Sequence, residues 1–349
     1  MLLGEKNMMK QHFSSILFSI LAIVLGYMIG GFHGAWVVAI LGVLEISLSF
    51  DNAVVNASIL KNWSALWRHR FLTWGMPVAV FGMRLVFPLL IVAIIAQINP
   101  INALILALKN PQQYAHILSQ AHNQIAAYGG SFLFMIFLKY FLNAEKDVHW
   151  IQPVEAPLTK LGKLEAIQCA LVLVFVVGAS HLLEASHQLS FVVAGICGIV
   201  TYILADAFGS FVGGEEESEE KTQGPSRIIK EGLMGLLYLE LLDASFSFDG
   251  VMGAFAISNH IFLITLGLGI GAMFVRSMTL QLVEKGTLSE YPFLEHGAFW
   301  AIGALATITF MSIKYEIPEV VSGLLGAGFI GVSFVSSVLE NKKQQQINS

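Results

Sequence analysis

Charge is scarce in this chain. Only 12% of its 349 residues are Asp, Glu, Lys or Arg, against roughly a quarter in ordinary soluble domains, and the mean hydropathy is +0.71. Those values exclude a water-soluble globular fold. Cysteine is scarcer still. Cys169 and Cys197 sit in apolar runs without partner spacing, which argues against a disulfide framework and a zinc site. No Gly-x-x-x-x-Gly-Lys phosphate loop occurs, so this chain alone is not expected to pump with ATP. Ser47 and Ser49 have only carboxylates near them in sequence, a poor setting for acyl transfer. The chain is therefore not expected to be an enzyme, to hold a permanently bound cofactor, or to bind nucleic acid.

What the sequence has in quantity is apolar length. Hydrophobic runs long enough to cross a bilayer recur from end to end, so the expected class is an all-α polytopic membrane protein. Ten spans are predicted, at roughly 13–31, 35–59, 71–97, 129–143, 165–183, 189–212, 230–257, 261–284, 298–313 and 319–339. The fourth and ninth are short, and nine is the alternative if one of them is interfacial. With ten, fourteen of the nineteen lysines and arginines fall on one side, from Lys6 and Lys10 to Lys342 and Lys343. That bias puts both termini in the cytoplasm. Lys6 and Lys10 precede an apolar run as in a signal peptide, yet residues 16–30 lack a small-x-small cleavage site. A retained first helix is expected.

Against this background one stretch stands out: Leu44-Glu45-Ile46-Ser47-Leu48-Ser49-Phe50-Asp51-Asn52-Ala53-Val54. It returns as Leu242-Asp243-Ala244-Ser245-Phe246-Ser247-Phe248-Asp249-Gly250-Val251-Met252. At a constant offset of 198, Glu45 meets Asp243, Ser47 meets Ser245, Ser49 meets Ser247 and Asp51 meets Asp249. The next span of each half carries an arginine, with Gly75 to Arg84 and Gly267 to Arg276 sharing a nine-residue spacing. The first motif runs outside to inside and the second inside to outside, which makes an inverted repeat of five spans plus five. Residues 1–188 form one half, 189–341 the other, and 342–349 a polar tail. Such repeats characterise secondary transporters, which bind substrate at the repeat interface.

Ionisable groups are costly in hydrocarbon, so duplicated ones mark a functional site. Carboxylate, hydroxyl and amide oxygens without histidine or cysteine suit magnesium, calcium or manganese. Asp51 and Asp249 are the central candidate ligands for a transported divalent cation. Glu45, Asn52, Asp243, Glu240, Ser47 and Ser245 complete or flank the site, with Arg84 and Arg276 as counter-ions. Protons replacing the cation in the empty state suggest cation/proton exchange. On an unbroken helix Glu45 and Asp51 point in different directions, so sharing one site requires a local break, which Gly250 permits in the second copy. The bland alternative is that the acids pair with Arg84 and Arg276 and tie helices together.

Four other features are set apart. Residues 98–128, with Asn110-Pro111, read as an external insertion of one or two amphipathic interfacial helices. The acidic stretch in 213–228 reads as a solvated cytoplasmic loop. His181, Glu184 and His187 form either a wet external loop or an outer metal-release site, and Asp206 is a weaker pathway candidate.

The first motif resembles the first signature of the TerC family of integral membrane proteins. Arg68-His69-Arg70, Trp74-Gly75, Arg84 and Gly129-Gly130-Ser131-Phe132-Leu133 follow in family order, and Leu239-Glu240 to Asp249 and on to Ala254-Phe255-Ala256-Ile257 looks like its second acidic motif. The resemblance implies a bacterial inner-membrane exporter of manganese or another divalent cation, associated with tellurium resistance. It also implies cation handling by Glu45, Asp51, Asn52, Glu240, Asp243 and Asp249. Gly250 stands where the commoner pattern has a serine, and the 98–128 insertion suggests a divergent branch. A non-transporting scaffold in stress resistance or membrane-protein assembly is the alternative from another class. A homo-oligomer is a further expectation.

Overall fold

The computed structural model describes residues 2–143, 146, 148–162, 164, 166–212, 231–315 and 317–347. The loop expected at 213–228 lies outside them. Among the described residues the protein is helical, and six helices are long and apolar enough to cross a membrane. Together with shorter apolar helices they make it a polytopic membrane protein. The outer helices present large apolar side chains, such as Met28, Phe32, Trp36 and Leu189, as lipid-facing surfaces do.

The first two expected spans are present as two helices that meet at Gly30 and Gly31, where the chain folds back and brings Gly26 against Gly34 and Val38. Helix α1 (Leu2–Leu48) carries a kink at Gly30 and Gly31, and α2 (Phe50–Leu60) follows after a one-residue interruption at Ser49. Gly31 has φ 60° and ψ −150°, a region that side chains beyond glycine's hydrogen avoid. The expected 71–97 span is a composite. After α3 (Ala65–Thr73) and the short turn Gly75–Pro77 comes a π-helical segment, Val78–Val86, and then α4 (Phe87–Ile95). Pro88 explains part of this, because the amide that would bond the Arg84 carbonyl in an α-helical ladder is proline's and carries no hydrogen.

The 98–128 insertion is a pair of short helices, α5 (Pro100–Lys109) and α6 (Pro111–Gln120). Each starts the same way. Asn99 and Asn110 cap them, accepting from the Asn102 and Gln113 amides, and a proline follows at the first helical position. The remaining elements are α7 (His122–Phe141), α8 (Gln152–Leu161), α9 (Ile167–Ser180), α10 (Ala185–Val212), α11 (Leu233–Ile257), α12 (Ile261–Glu284), α13 (Leu294–Met311) and α14 (Glu319–Ile347).

The chain forms two compact units, and each draws on both halves of the sequence. Unit one comprises Met1–Ala53, Arg68–His122 and Asp243–Gln281; unit two comprises Val54–Trp67, Asn123–Leu242 and Leu282–Ser349. The units therefore do not coincide with the 1–188 and 189–341 halves. Unit one instead collects both acidic motifs and both arginine-bearing segments that follow them.

Unit two contains its own polar anchors, one half-buried and one fully buried. Lys139 and Asp206 form an ion pair at 2.6 Å, which gives Asp206 a structural partner. Glu155 is fully buried on α8. It accepts from the Trp150 and Ile151 amides at 3.1 and 3.2 Å, from Lys146 Nζ at 3.2 Å and from Trp300 Nε1 on α13 at 3.1 Å. Burial pushes this carboxyl up, but Lys146, Trp300 and their neighbours outweigh it and hold it below its ordinary value of 4.5. A depressed carboxyl stabilises the fold fully above its unfolded value, and that contribution drains away as the pH falls through the folded one. The wild-type thermal midpoint is therefore expected to fall on acidification below pH 4.5. Glu155→Gln should cost about 1–3 kcal/mol at neutral pH and flatten that acid limb. Identical acid limbs in both chains would assign it to other carboxylates.

Candidate functional site

Unit one positions its polar groups through close helix contact. Glycines at 267, 269 and 271 line the face of α12 toward α1 and the π segment. A Cβ at Gly267 would press on Leu41, one at Gly269 on Val80 and Phe18, and one at Gly271 would overlap the Glu45 side chain. Small residues that let helices approach closely are the usual membrane device. Ser15 strengthens the same pairing, donating to the Met273 carbonyl at 2.9 Å and lying 2.6 Å from the Ser277 hydroxyl. Gly271→Ala is expected to cost about 1–3 kcal/mol as an overpacking substitution, read as a lower thermal midpoint in detergent. A Gly271→Ala chain that melts like wild type would show that Glu45 is not held against α12.

Arg84 is the centre of the site. It projects from the π segment, is 1% exposed, and is held by groups from both motifs. Nη2 donates to Glu45 Oε1 at 2.8 Å and to Ser247 Oγ at 3.2 Å; Nη1 donates to Asp243 Oδ2 at 3.2 Å and to the Ala79 carbonyl at 2.8 Å. Asp243 has its other oxygen occupied as well, since Asn52 Nδ2 donates to Oδ1 at 2.8 Å. The Arg84 carbonyl lies 3.5 Å from the Thr265 hydroxyl, which itself bonds the Ile261 carbonyl at 2.9 Å.

Asp51 is buried in the first turn of α2, where its Oδ1 accepts the Asn52 amide at 2.9 Å. The helix is interrupted at Ser49 for one residue, while backbone bonds from the Ser49 amide to the Glu45 carbonyl and from the Ala53 amide to the Ser49 carbonyl continue through it. The second copy behaves otherwise. α11 runs unbroken through Gly250, so the break that a glycine there permits does not occur.

The remaining candidates are dispersed. Ser47 is exposed and returns its hydroxyl to the Val43 carbonyl. Ser245 is half-buried, Glu240 is buried in unit two, and the side chain of Asp249 lies outside the described residues. Arg276 Nη1 donates to the Phe71 carbonyl at 2.8 Å and its guanidinium lies 4.2 Å over the Phe71 ring. Sequence reasoning ranked Ser245 above Ser247, although Ser247 shares the Asp243 stripe four residues on; that spacing was the available signal. His181 is exposed and its Nδ1 lies 2.8 Å from the Val177 carbonyl. Among the described residues no group of three or more His, Cys, Asp or Glu is gathered to hold a metal ion. The cluster is thus two carboxylates, a hydroxyl and a carbonyl gathered on one guanidinium.

Comparison with known proteins places the chain among membrane proteins. Residues 50–344 match the family described as Protein of unknown function (DUF475). The match includes Asp51, Arg84, Asp243, Asp249 and Arg276, and begins five residues after Glu45. A stretch of 110 residues is 27% identical to the Uncharacterized membrane protein YceF of Bacillus subtilis (strain 168), covering 31% of this chain and 42% of that protein. The chain therefore spans less than half of that relative's length. No solved structure matches the chain.

Proposed function

The chain belongs to the DUF475 family, and from that premise and the chemistry of the Arg84 cluster we propose that it carries a divalent metal cation across the membrane. Manganese leads, with export from a bacterial cytoplasm across the inner membrane as the direction. The observation that carries the reading is Glu45 and Asp243, one acid from each inverted motif, meeting on a single buried cation within 3.2 Å. Their charges match one divalent ion, and Ser247, Asn52 and the Ala79 carbonyl add hard oxygens of the kind such ions take. The resemblance to TerC supports manganese specifically; the donor set alone supports the hard divalent class.

Asp51 lies six residues from Glu45, more than a turn and a half along the chain, outside the set of groups on Arg84, and serves the ion's approach to them. The motifs lie in oppositely oriented halves, which suits alternating access around a fixed site. The test is flux. Purified full-length protein in liposomes loaded with manganese is expected to release it down its gradient, with Asp51→Asn slower at equal reconstitution. No release above protein-free liposomes, for manganese, magnesium or calcium, would sink the transport reading and leave a scaffold role.

A further inference from the structure

The geometry points to Arg84 as a tethered stand-in for the transported cation, one that occupies the site whenever substrate is absent and must leave when it binds. This rests on the transport reading above and adds to it the rule by which the empty carrier returns. The groups that hold the guanidinium are the groups a hard cation would need: the Glu45 and Asp243 carboxylates, the Ser247 hydroxyl and the Ala79 carbonyl. No second set of oxygens is needed, and both occupants would use the same atoms.

Charge makes the occupancy exclusive. Glu45, Asp243 and Arg84 carry a formal −1 together; the two carboxylates with a divalent ion carry zero; all four together would carry +1 in a site where Arg84 is 1% exposed. The guanidinium and a divalent ion would need the same carboxylate oxygens and would repel each other at contact distance away from water, so substrate binding is coupled to withdrawal of the arginine. In the return step the arginine re-enters, and the carboxylates cross the access change already paired. The empty carrier then needs no proton to return. Two features of Arg84 suit an occupant that leaves: among the described residues its Nε is buried without a hydrogen-bond partner, and its backbone lies in a π-helical segment bounded by Pro77 and Pro88, a conformation that recurs at functional positions.

The experiment compares two modes of transport in proteoliposomes of the full chain. Net efflux of radiolabelled manganese requires the empty carrier to return, whereas exchange of labelled for unlabelled manganese at equal concentrations does not. Arg84→Gln is expected to lower the ratio of net efflux to exchange by about tenfold or more relative to wild type, and its apparent affinity should tighten about tenfold as the competitor is removed. Should Arg84→Gln fail to accumulate, Arg84→Lys decides the matter. Lysine keeps the charge but cannot fork between two carboxylates, so net efflux persists and the apparent affinity tightens. Exchange and net efflux falling together in a folded Arg84→Gln chain, or an unchanged affinity in Arg84→Lys, overturns the stand-in role alone. Net efflux persisting in Arg84→Gln also overturns it, in favour of protons replacing the cation. Neither mode appearing in the wild type overturns the transport reading and this inference with it.

Discussion

Arg84→Ala is expected to lower stability by about 3–5 kcal/mol, because it removes the one cation between two buried carboxylates. Glu45 and Asp243 are 4% and 5% exposed, so water cannot take over from the guanidinium. The formal charge of the trio changes from −1 to −2, and Ser247 and the Ala79 carbonyl lose the donor they share. A loss of that size is comparable to the whole stability of many domains, so the variant should accumulate poorly and melt early in detergent. The cause is separable from lost packing. Adding Glu45→Gln and Asp243→Asn to Arg84→Ala removes both like charges at nearly constant volume and should recover most of the lost midpoint, since a neutral replacement for a buried ion cluster is often tolerated. An Arg84→Ala chain as stable as wild type would show that the acids are not paired as described. A triple variant no better than the single one would locate the damage in the cavity left by the side chain.

Much of this site was legible in the sequence. Acids inside apolar runs are conspicuous, their repetition at one offset is more so, and Arg84 in the following span offered itself as counter-ion. What could not be read was which acids would meet. Sequence favoured Asp51 with Asp249 and made Glu45 and Asp243 conditional on a bend. The one interruption between Glu45 and Asp51 is at Ser49, a residue with no reputation as a helix breaker, whereas Gly250 sits inside an unbroken helix. Glu45 reaches Arg84 beside Gly271 of α12, a packing contact between distant segments that local propensity does not reveal. The π segment was equally hidden, with Pro77 and Pro88 as its only outward sign. The insertion was the opposite case. Two Asn-Pro steps start two helices by cap chemistry alone, and no tertiary contact was needed to foresee them. Gly30 and Gly31 separate the first two expected spans, close to the predicted boundary at 31–35.

Glu45→Gln should do the reverse of Arg84→Ala: little harm to the fold and severe harm to transport. Arg84 keeps Asp243, Ser247 and the Ala79 carbonyl as partners, and the trio's formal charge moves from −1 to zero. Glutamine is close to glutamate in volume and still offers an oxygen to Nη2. Accumulation and thermal midpoint are therefore expected near the wild-type values. Transport is a different matter, because a divalent cation in the variant site would meet one carboxylate instead of two. Removing one partner of a buried charge pair costs about 2–5 kcal/mol, which is roughly thirtyfold or more in apparent affinity. Asp243→Asn should behave in the same way, with the added loss of an oriented acceptor for Asn52 Nδ2. Flux measured against substrate concentration in proteoliposomes checks both. If the acids served only as glue, the two neutral variants would transport like wild type, and the two inverted motifs would have to act through Asp51 and Asp249 without them.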